Sequence, residues 1–489
     1  MTARVLMVQG TASGVGKSFV VAALCRIFVR RGVRVLPFKA QNISNNAAVT
    51  RSGGEIGRAQ ALQAQAARVE PDVRMNPVLV KPLGNARSEV VVLGRGDPAV
   101  SALPWEARRD RLWPVVGQAL TELRAAADLV IIEGAGSPAE INLRSSDFVN
   151  MAVARATGAP VLVVADTESG GAFAALFGTW ALLQPAERRH LCGFLLNRFR
   201  GDAALLTSGL VELEQRTGVP VLGVIPHLAH LLPEEDAATL GPRGGGSVAV
   251  ATVRLPHVAN FDDLDPLAGE PGVTVRWVEH AEDLEGVAAV VLPGTRNTLA
   301  DLRWLWDTGL AAAIRARAAA GVPVVGLCGG YQMIGREVAD PLGIEAGGVA
   351  PGLGLLDFRT TLAREKRTRL VCARIVSRDG PFASLYGRGL TGYEIHHGTT
   401  VVGAEAGSWF ESEGCSVGAG RSSVWGTYLH GLFADDALRS TWLAVLRGGS
   451  ASPGKWQARI DAELDRVAEA VEAAVDLPHI VRLITAGPA

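Results

Sequence analysis

The amino-acid sequence predicts an α/β chain of two doubly wound domains, each a parallel sheet covered by helices on both faces. Three observations carry this expectation. Residues 4–31 read as an apolar strand, a glycine-rich loop and a helix. Further short apolar strands alternate with helical stretches, the pattern of a sheet buried on both sides. After a Pro- and Gly-rich break, a second set of such strands begins at Val248.

Bulk properties set the class. The chain has 489 residues, enough for two to four domains with a full core. It is 48% hydrophobic and 20% charged, as an ordinary soluble protein is. A net charge of −1 argues against a general nucleic-acid binder. Five cysteines without a C-x-x-C pair point to a reducing cytoplasm rather than a disulfide frame or a zinc site. The N-terminus has no cleavable signal design, and the most apolar region, Ala159 to Leu183, is broken by Asp166 and Glu168, so no membrane span is expected.

In chain order, Arg4–Gln9 is the first strand, Gly10–Ser18 (G-T-A-S-G-V-G-K-S) the loop and Phe19–Arg31 the helix. Such a loop, here Gly10, Thr11, Gly14 and Gly16, aims N–H groups at phosphates. Lys17 neutralises them and Ser18 can ligate Mg²⁺. The spacing departs from the common form, with Thr11 where Gly usually stands and Gly10 one position further back. Strands follow at Arg34–Phe38, Asp128–Ile132, Pro160–Ala165, Leu191–Leu196 and Val221–Ile225. Polar residues come directly after four of them: Lys39, Glu133, Asp166 and Asn197. Ligands of open α/β sheets bind outside the carboxyl ends of the strands. Lys17, Ser18, Lys39, Glu133 and Asp166 are therefore expected to converge on one site for ATP and Mg²⁺, with Ser18, Glu133 and Asp166 on the metal. Asn197 opens a polar loop that either reads the adenine edge or is merely solvated.

Between the second and third strands lies an insert. Gln41–Asn46 (Q-N-I-S-N-N) is dense in amides, and Gly54–Gln60 is expected to start a helix. Arg74, Lys81, Arg87 and Arg95 follow with only Glu89 opposing them before Asp97. This local excess is either a landing site for a polyanion or a solubilising surface.

The boundary falls in Leu232–Ser247. It predicts domains at 1–235 and 248–440, a linker at 236–247 and a C-terminal helical extension at 441–489. Strands Val248–Leu255, Val273–Val278, Ala288–Leu292 and Val322–Leu327 lead to Cys328 in V-V-G-L-C-G-G-Y-Q-M. Gly326 and Gly330 allow a sharp strand-to-helix turn that presents the thiol. Backbone N–H groups there favour a thiolate and can hold an oxyanion. The base on offer is His430 in W-G-T-Y-L-H-G, and Gly294 and Gly329 are the candidate oxyanion donors. Leu370–Val376, Thr391–His396 and Ser423–Leu429 are expected to form a side β-sheet.

L-C-G-G-Y-Q-M together with Y-L-H-G resembles the glutaminase half of class I glutamine amidotransferases, in the form joined to a dethiobiotin-synthetase-like P-loop ATPase. Within that group the chain looks like the cobyric acid synthases. Q-G-T-A-S-G-V-G-K-S, P-F-K-A-Q-N, G-E-I-G-R-A-Q-A-L-Q-A-Q-A, E-G-A-G-S-P-A-E-I-N-L, L-P-G-T, G-Y-E-I-H and G-T-Y-L-H-G-L-F extend the likeness from about residue 4 to about 440. The resemblance implies that Cys328 attacks the side-chain amide of glutamine with help from His430, releasing ammonia. It implies that ATP activates carboxylates of a corrinoid, adenosylcobyrinic acid a,c-diamide, and that ammonia amidates its b, d, e and g positions. Gln41, Asn42, Asn45, Asn46, Arg58 and Lys81 are then the candidate corrinoid-binding residues, and a sheltered route is expected to carry ammonia between the sites. Two departures stand out. Leu432 sits where many class I enzymes carry a triad glutamate, which leaves water or Glu394 to orient His430. Ser169 replaces an arginine usual before Gly170-Gly171. The sibling enzyme that amidates the a and c carboxylates is the nearest alternative, disfavoured by Q-N-I-S-N-N and G-E-I-G-R-A-Q; a non-catalytic P-loop switch with a scaffold domain is the alternative from another class. A homo-oligomer is compatible with the sequence, which leaves the assembly state open.

Overall fold

Strand β1 (Arg4–Gly10) is buried at every position after Arg4. A strand with no polar face belongs in the middle of a sheet covered on both sides. A computed structural model, which describes residues 2–84, 87–233, 241–345, 347–449 and 454–486, places it there. Helix α1 (Lys17–Arg30) follows the loop. The other strands of this sheet are β2 (Val35–Lys39), β3 (Leu129–Glu133), β4 (Val161–Asp166), β5 (Leu191–Phe199) and β6 (Val221–Pro226). All are parallel, in the order β6-β5-β4-β1-β3-β2. The carboxyl ends therefore run in a row: Lys39, Glu133, the loop, Asp166, Asn197.

The insert after β2 builds its own small sheets. Gln41–Ile43, Val78–Gly84, Arg87–Val92 and Arg95–Gly96 form one of four strands, and Ala47–Val49 pairs with Glu55–Gly57. The helix expected from Gly54 starts later. Residues 55–57 are taken by the pairing with residues 47–49, so helix α2 is Arg58–Ala66.

In the second domain β7 (Val248–Val253), β8 (Val273–Val278), β9 (Ala289–Leu292) and β10 (Val324–Leu327) are parallel, and β10 leads into the short helix α3 (Gly329–Ile334). Beyond two short strands, Glu337–Asp340 and Gly348–Pro351, come β11 (Phe358–Ile375), β12 (Gly389–Val402), β13 (Gly407–Ser412), β14 (Cys415–Arg421) and β15 (Val424–Thr427). The expected side sheet is not separate. β15 pairs parallel with β10 on one edge and antiparallel with β14 on the other, so the ladder runs on without a break into β13 and β11. Of the proposed linker, residues 236–240 lie outside the described residues. Beyond them Arg243–Gly244 pairs antiparallel with β8 and extends the sheet.

The chain ends in three helices, α4 (Asp436–Arg447), α5 (Trp456–Ala474) and α6 (Leu477–Ala486). Along α5, Ile460, Leu464, Val467, Ala468 and Val471 recur at helical spacing and are buried with residues of α1 and β1 in the first domain's core. Ion pairs from Arg26 to Asp461 (3.3 Å), Arg30 to Glu469 (3.1 Å) and Arg31 to Glu472 (2.6 Å) flank that seam. The apolar burial supplies the energy, about 1.5–3 kcal/mol for each large side chain, since ion pairs whose acidic partner is solvent-exposed add little. The last helices therefore complete the first domain. Among the described residues, no helix is long and apolar enough to cross a membrane.

Candidate active sites

Cys328 stands between β10 and α3 with φ 52° and ψ −107°, a backbone conformation rare for a residue with a side chain. The turn is too tight for anything but glycine on either side. A Cβ on Gly326 would lie 2.6 Å from the Gly330 oxygen, and one on Gly330 would lie 2.0 Å from the Leu292 oxygen. The Cys328 N–H donates to Thr427 O at 2.8 Å, which ties the elbow to β15. Gly294 and Thr295 pass close by. A Cβ on Gly329 would meet Thr295 N at 3.2 Å, and one on Gly294 would meet His430 Cε1 at 3.4 Å. Cys328, Gly329, Gly294 and His430 thus share one small region.

His430 lies beside Cys328, which acts on its charge, while the Cys328 thiol donates to Ile395 O at 3.4 Å. The His430 Nδ1 meets Asp263 Oδ2 at 2.7 Å, and the second oxygen of Asp263 accepts the Gly431 N–H at 2.7 Å. With Nδ1 taken, Nε2 is the nitrogen left for the thiol. Burial opposes a charged imidazole here, but Asp263 and Cys328 outweigh it and raise the His430 pKa well above its ordinary value. Tyr393 stacks on the ring, centroids 5.1 Å apart. Asp263 was not among the sequence candidates. It lies in a 3-10 turn, Phe261–Leu264, and nothing in F-D-D-L marks it. Glu394, offered as the orienting group, is instead ion-paired to Arg369 at 2.9 Å, because its strand also faces β11.

A cavity of about 960 Å³ opens at Cys328. Gln332, Arg296 and Glu345 line it from the second domain, and Glu89 and Arg108 from the first. Burial raises Glu345 to a pKa of about 7, against the pull of the Thr298 and Leu299 N–H groups that it accepts.

At the first domain's loop, Gly14 (φ 74°) and Gly16 (φ 95°) adopt the left-handed turns that glycine permits. Lys17 Nζ donates to Ala12 O at 2.7 Å and to Gly136 O at 3.2 Å. Glu133 is buried and accepts from Ser18 Oγ and Lys39 Nζ, both at 2.8 Å on one oxygen, and from Gln63 Nε2 on the other. Lys17, Ser18, Lys39 and Glu133 thus converge. Hydroxyl and carboxylate oxygens beside a phosphate-binding loop are the hard donors that Mg²⁺ takes, so Ser18 and Glu133 fit such an ion. Asp166 stands apart, across β1 from Glu133, paired with Arg198 at 3.3 Å and accepting the Glu168 N–H at 2.8 Å. Asn197 braces the loop, donating to Val15 O at 3.0 Å, and a Cβ on Gly16 would come within 2.1 Å of its Nδ2. It also borders a cavity of about 380 Å³ with Phe19, Arg198 and His227.

The insert residues divide. Gln41 faces an apolar cavity of about 250 Å³ beside the loop, shared with Ser13, Trp105 and Gly136. Asn42 donates to Gln60 Oε1 at 3.0 Å and so braces α2. Asn45 Oδ1 and both side-chain polar atoms of Asn46 are buried without a hydrogen-bond partner. Arg58 and Lys81 are not an open anion site. Arg58 Nε pairs with Asp262 Oδ2 at 2.7 Å, in the other domain. Lys81 is buried against Glu55, which Lys366 also meets at 2.5 Å from across the interface. Glu89 joins this cluster through Lys366 (3.0 Å) and Arg296. Arg74 is taken by Asp72 at 2.6 Å, and the side chain of Arg87 lies outside the described residues.

Residues 6–238 match the CobQ/CobB/MinD/ParA nucleotide binding domain, and residues 249–438 match the CobB/CobQ-like glutamine amidotransferase domain. The cobyric acid synthase of Sorangium cellulosum (strain So ce56) is 48% identical over 99% of each chain. The chain belongs to the cobyric acid synthases. The cobyric acid synthases of Roseiflexus castenholzii (51% identical, 91% of this chain and 92% of the other) and Chloroflexus aurantiacus (48%, 99% and 100%) are similar along nearly the same extent. As a member of the cobyric acid synthases it is an enzyme, a glutamine amidotransferase of the ligase type built on a nucleotide-binding domain.

Proposed function

We propose that the protein amidates the b, d, e and g carboxylates of adenosylcobyrinic acid a,c-diamide in the cytoplasm, using glutamine and ATP, to give adenosylcobyric acid. The observation that carries this reading is the grouping of Cys328 with the hydrogen-bonded pair His430–Asp263 (2.7 Å), where Cys328 opens on a cavity that both domains line. Residues 1–235 are the amidoligase, 248–440 the glutaminase, and 441–489 an extension that begins in α4 and closes over the first domain.

The chemistry runs in two halves. Cys328, as thiolate, attacks the side-chain carbonyl of glutamine, and the N–H groups of Gly294 and Gly329 receive the charge that develops on oxygen. The His430 imidazolium gives its proton to the leaving nitrogen, ammonia departs, and water cleaves the thioester to glutamate. In the first domain the backbone of Gly10, Thr11, Gly14 and Gly16, with Lys17 and Lys39, holds the ATP phosphates, and Asn197 borders the base. Ser18 and Glu133 would hold Mg²⁺, which neutralises phosphate charge when bound, and Asp166, paired with Arg198, is withdrawn from that role. The γ-phosphoryl group passes to a substrate carboxylate, and ammonia then displaces phosphate from the acyl carbon. Gln41, Asn42, Asn45 and Asn46 are the insert residues that would receive the corrinoid. Arg58 and Lys81, engaged by carboxylates, are withdrawn from that role. Ammonia stays neutral and nucleophilic only on a route sheltered from water.

Replacement of Cys328 by Ala tests the reading. Glutamine-supported amidation of the a,c-diamide is abolished and amidation supported by added ammonium salts persists, followed by a mass loss of about one unit for each carboxyl converted, a difference set by the atoms exchanged. A mutant that still hydrolyses glutamine rejects Cys328 as nucleophile. Turnover of unamidated cobyrinate in place of the a,c-diamide assigns the protein to the sibling reaction.

A further inference from the structure

Asp263 can orient His430 only if the turn that bears it is held. That turn, Phe261–Leu264, is a single 3-10 turn entered through Asn260 in a left-handed conformation, φ 51°. Two of its supports come from the other domain, Arg58 and the carbonyl of Ala47. Arg58 Nε lies 2.7 Å from Asp262 Oδ2, beside the triad aspartate. Asn260 Nδ2 donates to Ala47 O at 3.0 Å and to the Tyr393 hydroxyl at 3.1 Å, and Tyr393 is the ring stacked on His430.

We propose that Arg58 is a positioning residue of the glutaminase, supplied by the amidoligase domain, which neutralises Asp262 and thereby keeps Asp263 free to serve His430. Two adjacent aspartates are both buried, and Asp263 bonds the imidazole while Asp262 lies near enough to feel its charge. Without a cation on Asp262, the two carboxylates repel and compete for the same partner. Arg58 removes that competition. It is also the first residue of α2, whose Gln63 contacts Glu133 in the nucleotide site. One nine-residue helix thus touches both catalytic centres.

The inference rests on the triad proposed above, and the experiment separates the two. Arg58→Gln, Arg58→Lys and Asp262→Asn are made in the full chain, with the double variant Arg58→Gln/Asp262→Asn and with Cys328→Ala alongside. Amidation of the a,c-diamide is measured with glutamine and with ammonium chloride. The ratio of glutamine-supported to ammonia-supported kcat falls at least about tenfold in Arg58→Gln and less in Arg58→Lys, which keeps the charge. The double variant, with no buried charge left unpaired, recovers several-fold over Arg58→Gln. Equal losses with both donors, a raised corrinoid KM with ammonia as direct corrinoid contact requires, or a double variant no better than the single one would overturn the proposal. If Arg58→Gln does not fold, Arg58→Met, which keeps the aliphatic stem without the charge, decides: a selective loss with glutamine supports the role, and an unselective loss or none rejects it. Glutamine-supported turnover surviving in Cys328→Ala removes the triad and this role with it; its absence, joined to unselective Arg58 losses, removes only the role of Arg58.

Discussion

Asp263 accepts the Nδ1 hydrogen of His430 at 2.7 Å, although the two residues stand 167 positions apart. The contact fixes which ring nitrogen faces Cys328 and holds the proton that the leaving amine needs. Asp263→Asn keeps the shape but loses the charge and invites the wrong tautomer. Glutamine-supported kcat is expected to fall by about 10²–10⁴-fold, the range seen when a triad carboxylate is made neutral. Ammonia-supported amidation, which bypasses the triad, serves as the control, and a parallel loss there would mean that the substitution damages the fold.

Glu133 gathers Ser18, Lys39 and Gln63 on its two oxygens at the nucleotide site. Glu133→Gln should lower amidation by about 10²-fold or more with either nitrogen donor, on the scale of losing one preorganised charge contact. Labelling of Cys328 by a glutamine-like electrophile should continue in the same variant. Loss of labelling would show that the two sites cannot be separated by this residue.

Glu345 borders the Cys328 cavity with a pKa raised by burial to about 7. Below that pH it is neutral, and above it the carboxylate faces the space where the ammonium group of glutamine must sit. The KM for glutamine is therefore expected to fall as pH rises through about 7, and to lose this step in Glu345→Gln. Steady-state profiles of both proteins from mildly acidic to mildly alkaline buffer test it, and an identical step in the variant would assign the ionisation elsewhere.

Glu55 joins the domains through Lys366 and Lys81. Burial works against its charge, but the two lysines win and hold its pKa at about 2. The folded protein thus binds this proton less readily than the unfolded chain does. Its contribution is complete above the unfolded value, about 4.3, and is lost as pH falls from there toward 2. Glu55→Gln strands the buried Lys81 and should cost about 3–5 kcal/mol at neutral pH, as breaking a buried pair does. Denaturant melts across acid pH would show that component in the parent and not in the variant.

Local features were legible in the sequence and distant partnerships were not. Gly10–Ser18 and the glycines around Cys328 announce themselves, because a phosphate loop and a nucleophile elbow are short-range backbone requirements. The strand ends at Lys39 and Glu133 follow from periodicity alone. Asp263 is not marked in the sequence because its meaning depends on a turn brought toward His430 by the pairing of Val258–Ala259 with Gly294–Thr295, which no spacing encodes. Arg58 and Lys81 read as free cations for the same reason, since Asp262 and Glu55 find them only across the domain interface or through the folding of the insert. The sequence suggests a separate side sheet because the pairing of β15 with β10 is a long-range contact that local pattern does not carry.

The return of α5 and α6 to the first domain has a bearing on how this enzyme can be cut and rejoined. Its nucleotide-binding lobe is discontinuous in the gene, with the glutaminase inserted before its final helices. A stop codon near residue 450 would spare the lobe it interrupts last and cripple the one translated first. Because α6 packs beside β1, a circular permutant reopened near residue 245 would make each lobe a contiguous reading frame, whereas simple scission there leaves the ATPase without part of its own interior.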